Sequence, residues 1–506
     1  MAAAAPRLRV WFLHPDLGLG GAEMLVVNAA LALQRRGRAV RIVTAHHDPE
    51  RSFSETKAGG PLGACVEVRG DWLPRTVLGR LHVACAVLRM AWASLSVAAR
   101  SALGRGPHVL VVDQVAHVVP LLQWLTGLPV VFYCHFPDKL LCVERSSLLK
   151  RAYRAPFDWW EEASTGAADA VVVNSRFTGA IFRESFASLS ATPLRVLYPA
   201  IDLSQFDRVL AAPAAAAAAE GLPAALRQLL ARPQDARSGP VLLLSINRFE
   251  RKKNLALAVE AFAALRAMLE GAAEPDVGEI AGPGEAAAAA ATGRGKAAQR
   301  AAEDRALLAR VHLVLAGGYD PRLEENVSYC AELAALAQAR GLAEHVSFVK
   351  SFSDDQRLLL VQAARAVVYT PDREHFGIVP IEAMYAARPV VAVASGGPLE
   401  SVSHGETGWL VPQEPASFAR ALLRLVRDAS LAAKMGQAGK RTVAGRFSLD
   451  AFGAGLDAIV TEQLERASSR GAAPRLLRLA LLALLCALLA AALLAAARAT
   501  LQYTMS

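Results

Sequence analysis

The stretch "YTPDREHFGIVPIEAMYAARPVVAVASGGPLE", Tyr369 to Glu400, contains the pattern that decides the fold. A run typical of a strand ends at Tyr369, a loop follows, and a helix is expected to begin near Ile378. Pro380 falls in the first turn of that helix, where proline is accepted because the first amides need no helical partner. A second strand-like run follows at 390–393. Strand, helix and strand in this order predict two parallel strands joined by a crossover helix.

The same alternation extends over most of the chain. In the first 200 residues the predicted strands are Arg9–Leu13, Val40–Thr44, Val109–Val112, Val130–Tyr133, Ala170–Val173 and Arg195–Leu197. From about Pro240 the pattern restarts with Val241–Ser245, Val311–Ala316, Val346–Val349, Ala366–Tyr369 and Val390–Val393. The sequence therefore predicts an α/β protein with two Rossmann-like doubly wound domains and parallel sheets.

Composition shifts divide the chain into segments. An Ala- and Pro-rich connection and an Ala/Gly-rich stretch with six consecutive alanines are interpreted as a linker and a solvent-exposed insertion. The expected segments are an N-terminal Rossmann-like domain 1–206, a linker 207–239, a C-terminal Rossmann-like domain 240–445 with an insert 271–302, a crossover helix and basic linker 446–474, and a transmembrane helix 479–497.

Composition limits the class of protein. Hydrophobic residues make up 54% of the 506 residues and charged residues 20%, which excludes a disordered protein. The net charge of +9 fits phosphates of a substrate or an anionic membrane, and the scattered basic residues disfavour nucleic acid. The six cysteines form no C-x-x-C pair, which indicates a reducing compartment where the sequon at Asn326 would stay unmodified.

Residues 479–497 form an uninterrupted apolar run of 19 residues, about 28 Å as a helix, and are predicted to span a membrane. The alternative is a buried Leu/Ala helix. Four arginines between 466 and 478 precede the run and Arg498 follows it, so the positive-inside rule places the large N-terminal part in the cytosol. A second apolar stretch, 81–103, is either a core helix or a helix in the membrane interface.

Two glutamates bracket the helix that begins near Ile378. Glu374 lies in the preceding loop and Glu382 in the first turns, while Gly377 and Ile378 offer backbone N–H groups at the positive end of the helix. A diphosphate suits those N–H groups, and a carboxylate on either side can hold hydroxyls of a sugar and a ribose. The alternative interpretation is two surface glutamates around an ordinary loop.

The string "SINRFERKKNL" follows the first strand of the second domain and contains Arg248 and Lys253. Ligands of open α/β sheets bind at this edge, where a guanidinium and an ammonium can neutralise a nucleotide diphosphate. The two cations would stabilise charge that develops on the leaving group. A solvated basic loop is the alternative.

The string "HPDLGLGGAE" places Gly18, Gly20 and Gly21 between the first strand and a helix. Such glycines let backbone N–H groups approach a ligand. The alternatives are a tight turn and the pyrophosphate loop of a nicotinamide enzyme. The spacing is not G-x-G-x-x-G, and Thr44-Ala45-His46 stands where an acidic ribose-binding residue is expected, so the dinucleotide interpretation is disfavoured.

His135 in "FYCHFPDKLL" follows another strand of the first domain. At the carboxyl end of a strand it is a candidate for contacting a reacting sugar, with an ordinary loop histidine as the alternative.

At these residues the chain resembles the retaining glycosyltransferases of the GT-B fold, in which two facing Rossmann-like domains hold a nucleotide sugar. The E-x7-E pair, the R-x4-K pair and the Gly-rich turn all match. The resemblance implies that Glu374 lies by the donor sugar and Glu382 on the ribose. It further implies that Arg248 and Lys253 grip the diphosphate and that His135 lies near the reacting sugar.

Within that group the chain is similar to the family of α-1,3/α-1,6-mannosyltransferases that extend the dolichol-linked glycan. The strings "DWLPR", "FYCHFPD", "YRAPFDWWEE", "AGGYD" and "HFGIVPIEAMY" carry this likeness over about residues 8–460. It implies GDP-mannose as donor, a lipid-pyrophosphate-linked oligosaccharide as acceptor, no metal or other cofactor, and an endoplasmic reticulum membrane location. Other glycan-assembly enzymes are possible partners.

Two alternatives remain. One is a transferase of the same fold that uses a UDP-sugar, because the motifs do not fix the base or the sugar. The other is a membrane adaptor without catalytic activity. The sequence leaves open the order of the two linkages and the oligomeric state.

Overall fold

The computed structural model describes residues 8–77, 79, 81–141, 148–210, 218–233, 238–272 and 294–469. The described residues divide into two compact units. One unit comprises the chain up to Ala200 together with the segment that begins at Leu449, and the other comprises Ile201–Ser448. The expected boundary at 206 lies close to the division after Ala200.

The first unit contains a parallel sheet of seven strands in the described residues, with the order β3-β2-β1-β4-β5-β6-β7. Its strands are β1 Arg9–His14, β2 Ala39–Thr44, β3 Val66–Val68, β4 Val109–Asp113, β5 Val130–Cys134, β6 Ala170–Val173 and β7 Leu194–Val196. The order reverses between β1 and β4, which is where open α/β sheets bind ligands.

Helices cover both faces of this sheet, because alternate strand residues belong to two different apolar clusters. On β1, Val10 and Phe12 pack on one side of the sheet with the helix Leu449–Ser468. Trp11 and Leu13 pack on the other side. The helices of the unit are Gly21–Arg35, His82–Ala102, Val119–Thr126, Asp138–Leu141, Leu148–Gly166, Arg176–Ser185 and Leu449–Ser468. The described residues of the first unit therefore have the expected doubly wound form.

The last described helix, Leu449–Ser468, belongs to the first unit although it follows the second in sequence. It packs on the helix Gly21–Arg35, where Asp457 accepts hydrogen bonds from Arg38 at 2.7 Å and from Arg36 at 3.3 Å. Burial would raise the pKa of Asp457, but these arginines outweigh it and the pKa is lowered. The ion pairs fix where the chain re-enters the first unit.

The second unit contains a six-stranded parallel sheet in the described residues, with the order β10-β9-β8-β11-β12-β13. Its strands are β8 Val241–Ile246, β9 Val311–Gly317, β10 Val346–Lys350, β11 Ala364–Tyr369, β12 Val390–Val393 and β13 Gly408–Val411. Its helices are Leu203–Leu210, Ala224–Ala231, Leu255–Leu269, Arg294–Leu308, Glu324–Ala339, Asp354–Ala363, Ile378–Tyr385, Pro398–Ser401, Pro415–Arg427 and Ala429–Arg446. Here the order reverses between β8 and β11.

The structure differs from the expected linker at 207–239 and from part of the expected insert at 271–302. Leu226 lies on the helix Ala224–Ala231 and is fully buried, so this segment contributes to the core of the second unit. Residues from 294 onward belong to the helix Arg294–Leu308, whose Asp304 pairs with Arg427 at 2.9 Å. Residues 273–293 lie outside the described residues.

The apolar stretch at 81–103 forms the helix His82–Ala102, which is long and apolar enough to cross a membrane, with a mean hydropathy of 1.4. Core helices of soluble proteins meet the same criterion, and Met90, Ala93 and Val97 pack on the first sheet. The packing agrees with the core-helix interpretation for that face. The predicted span at 479–497 lies outside the described residues.

The side chain of the sequon residue Asn326 is buried and bonded within the second unit. Its amide nitrogen donates to the carbonyl of Phe249 at 3.1 Å, and its amide oxygen accepts from the Asp320 N–H at 3.0 Å. Asn326 is thus used to hold the loop that follows β8 against the loop that follows β9.

Candidate functional site

Lys253 and Glu374 meet at the carboxyl edge of the second sheet, where their side chains form an ion pair. Lys253 follows β8 and Glu374 follows β11, and these two strands are neighbours in the sheet. The hydroxyl of Thr370 also donates to the Lys253 carbonyl at 2.7 Å. The pair retains side-chain exposures of 15% and 22%, so it lies near the surface of this unit. The structure thus joins one member of the R-x4-K pair to one member of the E-x7-E pair.

The glycine turn after β12 holds the loop that contains Glu374. The Gly397 N–H donates to the Glu374 carbonyl at 2.7 Å. A Cβ at Gly397 would lie 2.2 Å from the Phe376 carbonyl oxygen, and one at Gly396 would lie 2.5 Å from the Glu374 carbonyl oxygen. Because these contacts are to backbone atoms, no larger residue fits without moving the loop. Close packing against the loop that contains Glu374 therefore explains the two glycines of the turn "SGG".

Arg248 lies on the same edge but has a different carboxylate partner from Lys253. Its guanidinium pairs with Glu250 Oε1 at 2.8 Å, and 62% of the side chain is exposed. The backbone beside it is fixed, because the Asn247 N–H donates to the Ala316 carbonyl at 2.9 Å and a Cβ at Gly317 would overlap the Asn247 carbonyl. Arg248 is thus an exposed cation on a fixed backbone.

Glu382 is buried in the helix Ile378–Tyr385 and forms an ion pair with Arg357. Burial raises the pKa of Glu382, although the charge of Arg357 opposes the rise. Arg357 was not predicted, because its position on the helix Asp354–Ala363 gives no local sign of a partner 25 residues later. The carboxylate of Glu382 therefore already has the Arg357 guanidinium as its partner.

The helix that begins at Ile378 presents its N-terminus where the sequence predicts it. Gly377 has φ +82°, a left-handed conformation that a side chain makes costly, and a Cβ there would lie 2.8 Å from the hydroxyl of Tyr369. The first amides of a helix have no acceptor within the helix. Gly377 and Ile378 therefore lie at a helix end suited to an anion.

The glycine-rich turn of the first unit connects β1 to the helix Gly21–Arg35. Gly20 is extended, and a Cβ there would meet the flexible carboxylate of Glu23. A Cβ at Gly21 would meet no described atom within 4 Å, and one at Gly18 would make only an ordinary 3.7 Å contact with the Arg51 carbonyl. Neither Gly18 nor Gly21 has a positive φ, so the packing of the described residues does not require glycine at these two positions.

His135 is held by a buried carboxylate that was not predicted. Its Nε2 lies 3.0 Å from Asp113 Oδ2, and Asp113 is only 3% exposed at the end of β4. The side chain of Asn174 donates to the His135 carbonyl at 3.1 Å, while the imidazole remains 19% exposed. His135 therefore has one ring edge fixed to Asp113 and keeps access to solvent.

The same Asp113 binds His14, which is fully buried at the end of β1. His14 Nδ1 lies 2.9 Å from both Asp113 oxygens, and His14 Nε2 lies 3.0 Å from the carbonyl oxygen of Asp16. Because a carboxylate and a carbonyl only accept hydrogen bonds, both ring nitrogens of His14 donate and the ring is cationic. Burial alone would lower the pKa of His14, but Asp113 and Glu23 raise it to about 10.

Asp113 thus lies between two histidines on neighbouring strand ends. Burial would raise the pKa of Asp113, but the charges of His14 and His135 outweigh it and lower the pKa. Asp113 was not predicted as a site residue, because it ends an apolar run that indicates only a buried strand. The arrangement gives His135 an ionised partner that fixes its ring.

The loop after His135 is fixed by the helix Leu148–Gly166, which contains "YRAPFDWWEE". Glu161 accepts the backbone N–H groups of Asp138 at 2.6 Å and of Lys139 at 3.0 Å, and Arg154 pairs with Asp138 at 2.9 Å. Burial first, and then the nearby charge of Asp138, raise the pKa of Glu161 to about 7. This helix therefore acts as a support for the His135 loop.

Potential metal-ligating side chains do not gather in the described part of the chain. Residues 8–469, with the gaps stated above, contain no cluster of three or more His, Cys, Asp or Glu side chains that could hold a metal ion. The loop after β8 instead brings the cationic side chains of Arg248, Arg251, Lys252 and Lys253 to the edge of the second sheet.

Solved structures share the fold of this chain. A sucrose-phosphate synthase from Thermosynechococcus elongatus is similar with a TM-score of 0.63 and 22% identity, covering 91% of this chain and 100% of that one. Anabaena HepE, solved in complex with UDP, has a TM-score of 0.58 at 19% identity over 90% of this chain and all of its own. At these identities the likeness shows the fold, which is that of GT-B glycosyltransferases.

Family models and curated relatives carry the likeness further. The model for glycosyltransferase family 4 matches residues 19–205, and the model for glycosyl transferases group 1 matches residues 296–442. The alpha-1,3/1,6-mannosyltransferase ALG2 of Homo sapiens is 42% identical over 92% of this chain and 96% of its own length. The ALG2 of Rhizomucor pusillus is 40% identical over 90% and 92%. The chain is therefore a glycosyltransferase and belongs to the alpha-1,3/1,6-mannosyltransferase ALG2 family.

Proposed function

We propose that this chain transfers mannose from GDP-mannose to a lipid-pyrophosphate-linked chitobiose core that already bears one mannose. It forms an α-1,3 and an α-1,6 linkage and retains the anomeric configuration. The names of the relatives support the two linkages. The observation that carries the proposal is the ion pair of Lys253 and Glu374 at the carboxyl edge of the second sheet.

That ion pair suggests how the donor is received. A nucleotide diphosphate carries more negative charge than one carboxylate, so it competes for Lys253 and releases Glu374. The released carboxylate then accepts hydrogen bonds from hydroxyls of the donor sugar. Donor binding therefore also orients the sugar, because Lys253 exchanges Glu374 for the diphosphate and Glu374 becomes free to bind the sugar.

Three further groups stabilise the diphosphate as it leaves. Arg248 is exposed on a fixed backbone and swings from Glu250 to a phosphate oxygen. The N–H groups at Gly377 and Ile378 offer the positive end of a helix. In the first unit the absence of side chains at Gly18 and Gly21 lets the backbone approach the ligand. Fixed donors aimed at developing charge are the largest source of catalysis in such sites.

Retention follows if the acceptor attacks the face from which the diphosphate leaves. The bond between the anomeric carbon and the phosphate oxygen breaks, and a bond from that carbon to the acceptor oxygen forms. The proton of the acceptor hydroxyl moves to the departing phosphate oxygen, so the products are the mannoside and GDP. His135, oriented by Asp113, contacts the reacting mannose.

Glu382 holds the ribose of the donor in this proposal. Its carboxylate is already paired with Arg357, which holds it in one orientation despite its burial. The ribose hydroxyls then donate to an oxygen that faces away from Arg357.

No metal or other cofactor takes part in the proposed reaction. Arg248 and Lys253 supply the charge that a divalent cation provides in other transferases. Transfer in the presence of a chelator therefore equals transfer in its absence, and a loss that magnesium or manganese restores contradicts this part of the proposal.

The enzyme acts at the endoplasmic reticulum membrane with both units in the cytosol. The expected span at 479–497 and the arginines before it support this location. The long lipid of the acceptor then diffuses in the same plane as the enzyme. Other glycan-assembly enzymes on that membrane are proposed partners.

The test is transfer from radiolabelled GDP-mannose to a short lipid-pyrophosphate acceptor that bears the Man-chitobiose core, with the product linkages identified by specific mannosidases. Two added mannoses in α-1,3 and α-1,6 linkage support the proposal. Equal or faster transfer from a UDP-sugar supports the second candidate donor, because the motifs do not fix the base. Absence of both transfer and nucleotide-diphosphate binding supports the membrane adaptor.

A further inference from the structure

A basic pocket lies at the carboxyl edge of the first sheet, beside the ends of β1 and β2. Its volume is about 240 Å³. That is below the roughly 300–1,000 Å³ of pockets for drug-sized ligands, so it suits one small group. Its wall comes from the ends of β1 and β2, from the loop "DWLPR" and from the helix His82–Ala102. The lining residues are Pro15, Asp16, Ala45, Arg75, His82, Ala86 and Arg89.

Arg89 is a buried cation in the wall of this pocket, with a side-chain exposure of 6%. Its guanidinium donates to the carbonyls of Ala45 at 2.8 Å and Gly70 at 3.4 Å. In the described part of the chain, the carboxylate within ion-pair distance of Arg89 is that of Asp71, at 3.5 Å. Asp71 is half-exposed and lies closer, at 2.7 Å, to the ring of His46.

A buried charge is costly unless an opposite charge or strong hydrogen bonds compensate for it. Two neutral carbonyls and one distant, shared carboxylate compensate Arg89 only in part. An anion in the pocket would complete the compensation, because the pocket opens directly onto this side chain.

The other polar groups of the pocket point to the same chemistry. Arg75 lies at the rim with half of its side chain exposed, and its guanidinium pairs with Asp16 at 3.3 Å. His82, at the start of the helix, is exposed beside it. Among the lining side chains, two arginines face the single carboxylate of Asp16, so the lining has an excess of positive charge. Guanidinium groups in pairs suit phosphate oxygens because of their planar donor geometry.

Large apolar side chains are exposed in the segments that form the rim. Trp72 is 57% exposed and stacks edge-on against Trp92, with ring centroids 5.2 Å apart. Val77, Leu81 and Leu88 are also among the exposed large hydrophobic residues of this unit. A ligand that joins a phosphate to an apolar chain would use both the basic pocket and these side chains.

We propose that this pocket binds a phosphate of the lipid-linked acceptor and that Arg75 and Arg89 are its anchors. The inference rests on the proposed function for the identity of the acceptor. It concerns a second phosphate site, built from the first unit, whereas the donor cations Arg248 and Lys253 belong to the second. The acceptor is then held at its pyrophosphate, while its sugar end reaches the reacting mannose.

The test compares the wild-type enzyme with Arg75→Ala, Arg75→Lys and the control Arg105→Ala. Arg105 is an exposed arginine of the same unit that does not line the pocket. In Arg75→Ala the KM for the lipid-pyrophosphate acceptor rises about tenfold or more, the scale of one lost charge-assisted hydrogen bond. The KM for GDP-mannose stays within about twofold, Arg75→Lys recovers part of the acceptor affinity, and Arg105→Ala behaves as wild type.

A neutral acceptor shows whether Arg75 recognises the phosphate or the sugar of the acceptor. The same trisaccharide on an uncharged alkyl group is used by wild type and by Arg75→Ala with equal KM. An equal loss for the charged and the neutral acceptor overturns the proposal, and so does a parallel rise in the KM for GDP-mannose. Thermal unfolding midpoints of the variants within about 2 °C of wild type exclude misfolding as the cause.

Direct binding separates the lipid from free phosphate. Lipid pyrophosphate in detergent binds wild type more tightly than inorganic pyrophosphate does, and Arg75→Ala removes most of this binding. Equal affinity for the two ligands overturns the lipid assignment. If wild type transfers no mannose, the proposed function fails. In that case this binding measurement still decides whether the pocket takes the phosphate.

Discussion

His135 in the first unit and Lys253 in the second both follow a strand of a parallel sheet, yet their surroundings differ. His135 contacts Asp113, which is 3% exposed and is shared with the fully buried His14. Lys253 pairs with Glu374, and both side chains keep contact with solvent. The rigid part of the second site is instead the backbone, which Gly396 and Gly397 hold in place.

The two sites therefore serve different purposes. The first holds the ring of His135 in one orientation, and the second can exchange an ion-pair partner for a ligand. A buried carboxylate between two imidazoles fixes the ring of His135 at the cost of burying charge, so changes there should reduce stability. An ion pair that keeps some exposure to solvent contributes less to stability than a fully buried one, and it can be exchanged for a ligand. Changes at Lys253 should therefore reduce turnover while the fold survives. Four predictions test this contrast, from the largest expected effect to the smallest.

Asp113→Asn is expected to lower the free energy of unfolding by about 3–5 kcal/mol, because His14 is left as a buried cation without its counter-charge. The matched control is Glu332→Gln, which removes an exposed carboxylate from the exposed Arg251 and should cost about 0–1 kcal/mol. Urea unfolding at pH 7 measures both. A loss below 1 kcal/mol for Asp113→Asn would show that the first site is no more rigid than the second.

Lys253→Met is expected to reduce kcat by about 10²–10³-fold, on the scale of one lost electrostatic donor at a developing charge. The control is Lys252→Met, since the neighbouring Lys252 pairs with Glu250 and its side chain is 66% exposed. Steady-state transfer from GDP-mannose measures turnover, and urea unfolding should change little for either variant. Turnover near wild type in Lys253→Met would remove Lys253 from the proposed mechanism.

Gly21→Ala tests whether a glycine is present for the ligand or for the fold. The added methyl meets no described atom within 4 Å, so stability should stay equal or rise slightly. The KM for GDP-mannose should rise about tenfold, about 1.4 kcal/mol, because the methyl keeps the backbone from the diphosphate. Gly445→Ala, also in open space, is the control and should leave KM unchanged. An unchanged donor KM in Gly21→Ala would mean that the turn does not contact the donor.

The pH dependence of stability in Glu161→Gln tests whether Glu161 supports the His135 loop. The pKa of Glu161 is raised from the ordinary 4.5 to about 7, so its contribution to stability is fully present below pH 4.5 and is lost as pH rises to about 7. The stability difference between wild type and Glu161→Gln should therefore fall over this window, by at most about 1.4 kcal/mol per pH unit, and then stay constant.

The neighbouring Glu162 provides the control for that window. Burial would raise the pKa of Glu162, but Ser188 and Lys139 outweigh it and the pKa is lowered. Its contribution is present above the ordinary pKa and is lost only as pH falls, so Glu162→Gln should show no decline between pH 4.5 and 7. Urea midpoints at several pH values measure both variants. A flat difference for Glu161→Gln would contradict the raised pKa.

The strands were largely predictable because a buried parallel strand reads as a continuous apolar run flanked by polar loops. Two strands were missed, Val66–Val68 and Gly408–Val411. The first is three residues long with a central glutamate, and the second begins at a glycine, so neither forms such a run. The helix beginning at Ile378 was predicted because Gly377 and Pro380 mark its start.

The candidate site was predictable only where a motif is local. Glu374 and Glu382 are eight positions apart in sequence, and Arg248 and Lys253 are five positions apart. Asp113 and Arg357 carry no such signal, since each contacts a partner on another strand or helix. The Lys253–Glu374 pair joins two motifs that the sequence shows separately.

What the sequence determined by itself is the pair of parallel sheets and the residue types at their carboxyl edges, because apolar periodicity and turn residues act over short stretches of chain. The tertiary structure decided which of those residues touch. His14 meets Asp113 across 99 positions, and Lys253 meets Glu374 across 121. The physical reason is strand order: β1 lies beside β4 and β8 beside β11, so residues distant in sequence end on the same edge of a sheet.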